Sequence, residues 1–103
     1  MSYRLRFLAE VEDDALSAYA WYEERRVGLG EEFLEAFYFS AQSLPQNPLL
    51  HEIVRDQIRR RLLPRFPYTI YYEIHAEDVI VIGLFHCARD PKRIESEVRE
   101  REE

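Results

Sequence analysis

The sequence is short of most residues that staple, hinge or anchor a chain. Cys87 is the single cysteine among 103 residues, so no intramolecular disulfide is available. With only 3 glycines and 5 prolines, a fibrous or linker-like chain is excluded. No apolar run approaches the ~18 residues that a membrane span needs. The opening MSYRLRFLAE also lacks the apolar stretch of a secretory signal, so a cytoplasmic protein with no membrane partner is expected. Positive charge is scarce too: 14 Lys and Arg face 20 Asp and Glu, a formal net charge of −6. Phosphate neutralisation supplies most of the non-specific affinity of a general nucleic-acid binder, so this chain is left with a local basic patch at most. What it does have is 47% hydrophobic and 14% aromatic residues, enough for one packed core. Residues 1–103 are read as a single domain with its core at about 3–94.

The charge is unevenly spread. Residues 1–57 carry 5 basic and 11 acidic side chains, residues 58–93 carry 7 and 4, and residues 94–103 carry 2 and 5. The net positive middle segment holds Arg59, Arg60, Arg61, Arg65, Arg89, Lys92 and Arg93.

Hydrophobic spacing divides the chain into elements. Tyr3 to Leu8 alternates with period two and predicts a short strand. Val11, Ala15, Ala18, Tyr19 and Tyr22 lie on one face of a helix, with Glu12, Asp13 and Asp14 in its first turn and Arg25 and Arg26 in its last, as the helix dipole favours. Gly28 supplies a left-handed stop, and Gly30 an N-cap for a second helix through Phe33, Phe37, Ala41 and Leu44, ended by Pro45 and Asn47-Pro48. So short a link makes the two helices an antiparallel hairpin. Strands are predicted at Ile58–Leu63, Tyr68–Ile74 and Val79–His86, the last two joined by a hairpin loop. Val79–Leu84 is apolar on both faces, as in a central strand covered on two sides, and Gly83 marks a bulge or a close backbone approach. After Pro91 the chain is a polar tail in which only Ile94 and Val98 suggest a weak, fraying helix. The fold class is therefore α+β: one strand, a helical hairpin, then three mostly antiparallel strands in one sheet.

The inventory of chemistry is thin. His51, His75 and His86 show no paired ligand spacing beside the one cysteine, so no metal or other cofactor is expected. Neither a Gly-rich phosphate loop nor a nucleophile elbow is present. The pairs Glu23-Glu24 and Glu31-Glu32 are read as solvated surface. On a strand, Arg59 and Arg61 share one face and Arg60 takes the other; the run either guards a sheet edge or docks an anionic partner. His86, Arg89 and Asp90 sit at the end of the central strand, where either an ordinary turn or acid–base work would place them. Trp21, Tyr22, Phe33, Phe37, Phe66, Tyr68, Tyr71 and Tyr72 are read as packing rather than a base-stacking platform.

Four segments in order carry a resemblance: A-x-x-x-x-x-WYEERR ending at Arg26, GLGEEF from Gly28, RFPYTIYYEI from Arg65, and HCARDPKRI from His86. Together, over roughly residues 3–94, they resemble the RelE/ParE superfamily of toxins from bacterial toxin–antitoxin modules, the ParE-like branch above all. The resemblance implies a growth-inhibiting toxin neutralised by a cognate antitoxin, whose footprint would cover the helical hairpin and the strand arginines. ParE-type members poison DNA gyrase by binding it and need no catalytic residues, whereas RelE-type members cut mRNA on the ribosome. Of the nuclease set that the resemblance carries over, Arg89 matches, Thr69 stands where a strand arginine is expected, and Glu95 or its neighbours stand where a tyrosine is expected. The expectation is thus a gyrase-binding toxin, with Arg59, Arg61, Arg65, Arg89 and Arg93 contacting target or antitoxin. The alternatives are a RelE-type nuclease using His86, Arg89 and Arg65, and a relative that keeps only antitoxin binding.

Overall fold

The computed structural model describes residues 2–102. Strand β1 (Arg4–Phe7) leads into helices α1 (Glu10–Arg25) and α2 (Leu29–Ser43), followed by a 3-10 turn at Leu44–Gln46. Strands β2 (Ile53–Arg55), β3 (Ile58–Leu62), β4 (Tyr68–His75) and β5 (Asp78–His86) come next, and helix α3 (Pro91–Glu102) ends the described chain. The sheet order is β1-β5-β4-β3-β2, with β1 parallel to β5 and the other neighbours antiparallel. Among the described residues no helix is long and apolar enough to cross a membrane.

Side-chain parity builds three layers. Phe33, Phe37, Ala41 and Leu44 of the hairpin meet Ile70, Tyr72, Val79, Val81 and Leu84 on one face of the sheet. Phe33 and Phe37 are both wholly buried, each contributing about 2–3 kcal/mol by area removed from water. Ile94 and Val98 of α3 meet Tyr71, Ile82 and Phe85 on the opposite face. Strand β5 serves both layers by the alternation of its side chains, and a bulge shifts their phase partway along: Tyr71 pairs with Gly83 and Tyr72 with Val81, leaving Ile82 over. Strict alternation would turn Gly83 toward the hairpin; the extra residue turns Leu84 there instead. Gly83 also meets the second expectation, close approach. A Cβ there would run into the Phe85 ring and lie 3.0 Å from Nη1 of Arg101.

The structure corrects four readings. Strand β2 has no separate hydrophobic signal because it is three residues long; a two-residue turn at Asp56-Gln57, with Asp56 at φ 52°, folds it onto β3. Gly28, at φ 92°, is not the stop of the first helix, which already ends at the extended Arg26; it occupies the N-cap position of α2, so Gly30 is not the cap. Gly30 lies inside α2, where a Cβ would sit 2.6 Å from Cδ2 of Tyr19, and thus lets the two helices touch. Glu23 and Glu32 are not idle surface. The Glu23 carboxylate accepts the N–H groups of Gly28 and Gly30 at 3.0–3.1 Å, capping α2 from the preceding helix. Glu32 accepts from Arg26 at 2.9 Å and Arg65 at 2.8 Å, and the two guanidiniums hold its carboxyl below the usual range. Finally, the tail is a docked helix of 12 residues, since Ile94 and Val98 one turn apart make a buried stripe.

Arg101 completes that docking. Its guanidinium donates to both Asp14 oxygens, at 2.6 and 2.9 Å, and to the Ile82 carbonyl at 3.0 Å, while Asp14 also accepts the Leu84 N–H at 3.1 Å. Both side chains are nearly enclosed, 11% and 13% exposed. Removing one partner of such a pair strands a charge, so Arg101→Ala is expected to lower unfolding free energy by about 3 kcal/mol in urea titration. Gly83→Ala is expected to cost about 1–3 kcal/mol by overpacking against Phe85 in the same assay.

Candidate functional site

The end of β5, an interior strand of the sheet, is a point from which loop residues project. There the strand delivers His86, and the turn through Cys87, Ala88 and Arg89 reaches Asp90, which opens α3. The Asp90 side chain accepts the Lys92 N–H at 3.0 Å and its carbonyl accepts from Arg93 and Ile94, so its duty is to cap the helix. Nδ1 of His86 accepts the Ala88 N–H at 2.9 Å, which leaves Nε2 as the donor of the neutral ring. The ring stands edge-on to Tyr68 with centroids 5.1 Å apart. Arg89 lies over the Phe85 ring at 5.0 Å and pairs with Glu97 at 3.2 Å.

His86 and Arg89 form a ridge between two open clefts. The first, about 480 Å³, is walled by Ser17 and Trp21 of α1 and by Tyr68. Trp21 is half exposed, with the Arg25 guanidinium 3.5 Å from its ring centroid, a cationic stack at the rim. The second, about 310 Å³, lies on the α3 face among Arg60, Thr69, Tyr71 and Cys87. The Thr69 hydroxyl and the Cys87 sulfur are 3.3 Å apart there. Arg60, on the adjacent strand, points into this cleft and is engaged by Glu52 at 2.8 Å; that carboxylate, with the Tyr71 hydroxyl, pushes the Arg60 pKa up. Burial pushes the Tyr68 and Tyr71 hydroxyls up, so both remain neutral donors near pH 7. Glu95 turns away to Arg55 at 3.2 Å. Among the described residues neither cleft gathers three metal-ligating side chains.

The remaining arginines are dispersed. Arg59 donates to the carbonyls of His51 at 2.7 Å and Leu49 at 3.3 Å. Arg61 donates to the Ser40 carbonyl at 3.2 Å and to the Ser43 hydroxyl, a cation at the negative end of α2. Burial, with Arg61 and Arg59 beside it, pushes His51 below its ordinary pKa. Arg65 is held by Glu32 at the start of α2 and lines neither cleft, so of His86, Arg89 and Arg65 only the first two come together. Arg93 is exposed on α3, bordering a shallow groove shared with Arg89 and Lys92. Trp21, Tyr68 and Arg60 belong to the clefts but carry no such signal in sequence: the two aromatics read as core, and Arg60 becomes relevant only through its pairing opposite Tyr71.

Comparison with known proteins adds an independent line. A solved structure described as the chromosomal ParDE TA system from P. aeruginosa shares the fold, with a TM-score of 0.70 at 13% identity, covering 82% of this chain and 96% of that one. No curated protein sequence matches. The family model described as ParE toxin of type II toxin-antitoxin system, parDE, matches residues 5–91, from β1 to the first residue of α3. With nearly the whole sheet and both hairpin helices inside that match, the chain belongs to the ParE toxin family of type II toxin–antitoxin systems.

Proposed function

We propose that this toxin component, whose family implies a cognate antitoxin as partner, arrests growth in the cytoplasm by binding DNA gyrase rather than by cutting RNA. The observation that carries this reading is the second cleft. At the strand position where a nuclease would present an arginine, Thr69 is spent on Cys87, and Glu95 faces Arg55 instead of the cleft. A 2′-hydroxyl there would meet neither the strand arginine nor the C-terminal tyrosine of the nuclease set. The net charge of −6 further disfavours work inside the phosphate field of a ribosome. Binding needs only a surface, and the ridge with Arg89 and Arg93 offers exposed cations on a rigid support.

Arg59 and Arg61 are assigned to bracing the segment after α2, because Nη1 of each donates to a nearby carbonyl. The antitoxin is assigned to the outer hairpin, where Leu16, Trp21, Val27 and Phe39 stay exposed, with Arg65 at its edge. One observation favours a second reading, an mRNA endonuclease. Arg60 and Tyr71 line the same cleft as His86 and Arg89, so a cation and a phenol are present from other positions.

Induced expression of the lone chain is expected to stop bacterial growth, with trapped gyrase–DNA complexes in a purified cleavage assay and intact transcripts in a ribosome assay. Cut transcripts without trapped gyrase would overturn the binding reading in favour of the nuclease. Arg89→Ala is expected to weaken gyrase inhibition about tenfold. Its ion pair with Glu97 is exposed and worth about 0–1 kcal/mol, so the thermal midpoint should barely move. Undiminished inhibition by the folded variant would remove Arg89 from the target surface.

A further inference from the structure

A cluster far from the ridge combines three groups that the spacing of histidines in sequence passes over. Glu73 and His75 are two apart on β4 and so share the face that α3 covers, and the last turn of α3 brings Glu102 to them. One ligand atom from each lies within 4.8 Å of the others, with Nε2 of His75 3.0 Å from Oε1 of Glu73. We propose that Glu73, His75 and Glu102 form a binding site for one divalent transition-metal ion, zinc in the first instance, which pins the end of α3 to the β4–β5 hairpin.

The buried carboxylate points to a cation independently of the clustering. Glu73 is 6% exposed, and among the described residues His75 is the only side chain that hydrogen-bonds it. Ionised carboxylates this enclosed require a counter-charge or several donors. Arg101, the permanent cation that borders the same hollow, donates to Asp14, Glu97 and the Ile82 carbonyl. Among the described residues the one charge-compensating partner of Glu73 is thus His75, and only when that ring carries a second proton, the place a metal ion would take. The hollow, about 200 Å³, has Leu8, Ile80 and Ile82 in its wall, and such apolar lining strengthens the attraction for an ion.

The donor set selects the class of ion. One imidazole nitrogen and two carboxylate oxygens suit zinc, with water completing the coordination, whereas magnesium and calcium prefer oxygen alone. His75 and Glu102 are exposed, so rotation of their side chains can bring ligand atoms now within 4.8 Å of one another to coordination distance. Because Glu102 follows Arg101 directly, the ion would hold the same helical turn that the Asp14 pair holds from the other side.

The test is titration of the metal-free chain with zinc chloride, followed by calorimetry and by thermal melting, with magnesium chloride as comparison. Binding of one equivalent is expected, with a midpoint raised by about 5 °C at saturating zinc. Glu102→Gln alters an exposed side chain and should melt as the parent does in EDTA, whereas His75→Ala also removes the hydrogen-bond partner of Glu73 and is expected to melt lower there; both should bind zinc at least about tenfold more weakly. Cys87→Ser should bind as the parent does. No saturable heat with zinc, equal binding in His75→Ala and Glu102→Gln, or loss of binding in Cys87→Ser would each overturn the assignment.

Discussion

The ion pair between Asp14 and Arg101 is the contact on which the arrangement of layers depends. Strand β1 ends at Phe7, so beyond Val81 the flank of β5 has no neighbouring strand, just where the bulge disturbs its pairing. Exposed backbone groups at such a gap need partners. Asp14, from the helix above the sheet, takes the Leu84 N–H, and Arg101, from the helix below, takes the Ile82 carbonyl. Joining each other, the two side chains close the gap and tie all three layers to one strand. Gly83 is part of the same device, because its missing Cβ leaves room for the Phe85 ring and the guanidinium.

That clamp bears directly on the candidate site. Phe85 lies under two guanidiniums, Arg101 at 4.9 Å from the end of α3 and Arg89 at 5.0 Å from the turn before it. The turn carrying His86 and Arg89 is thus fixed at its base by the bulged strand and at its far side by the Asp90 cap. Both clefts open from this ridge, one toward Trp21 and α1, the other toward Arg60 and β3. The acidic net charge does not prevent a basic surface here, since the exposed cations Arg89, Lys92 and Arg93 follow one another within five residues.

The elements that were legible in sequence are those whose apolar period was long enough to read. The two hairpin helices, β4 and the doubly covered β5 fall where their spacing put them, and Gly83 met both expectations for a glycine within a strand. The ParE-like assignment, carried by four short segments, agrees with the family match. Elements whose stability comes from elsewhere were not legible. Strand β2 depends on a turn at Asp56, and α3 on two apolar residues plus an arginine whose partner lies 87 residues away. The same holds for the site: Arg89 and His86 were visible from their place after β5, while Arg60, Tyr68 and Trp21 become neighbours only when the layers close. Arg59 and Arg61 read either as an edge guard or as a docking pair, since a charge run does not reveal that Nη1 of each will reach a nearby carbonyl.

The central claim is that the ridge at the end of β5 meets the target. Amide hydrogen exchange of the chain, alone and with DNA gyrase or with ribosomes, addresses it most directly. Gyrase is expected to slow exchange across residues 86–93, and ribosomes to leave them unchanged. Unaltered exchange in that segment with gyrase bound, or slowing by ribosomes instead, would contradict it.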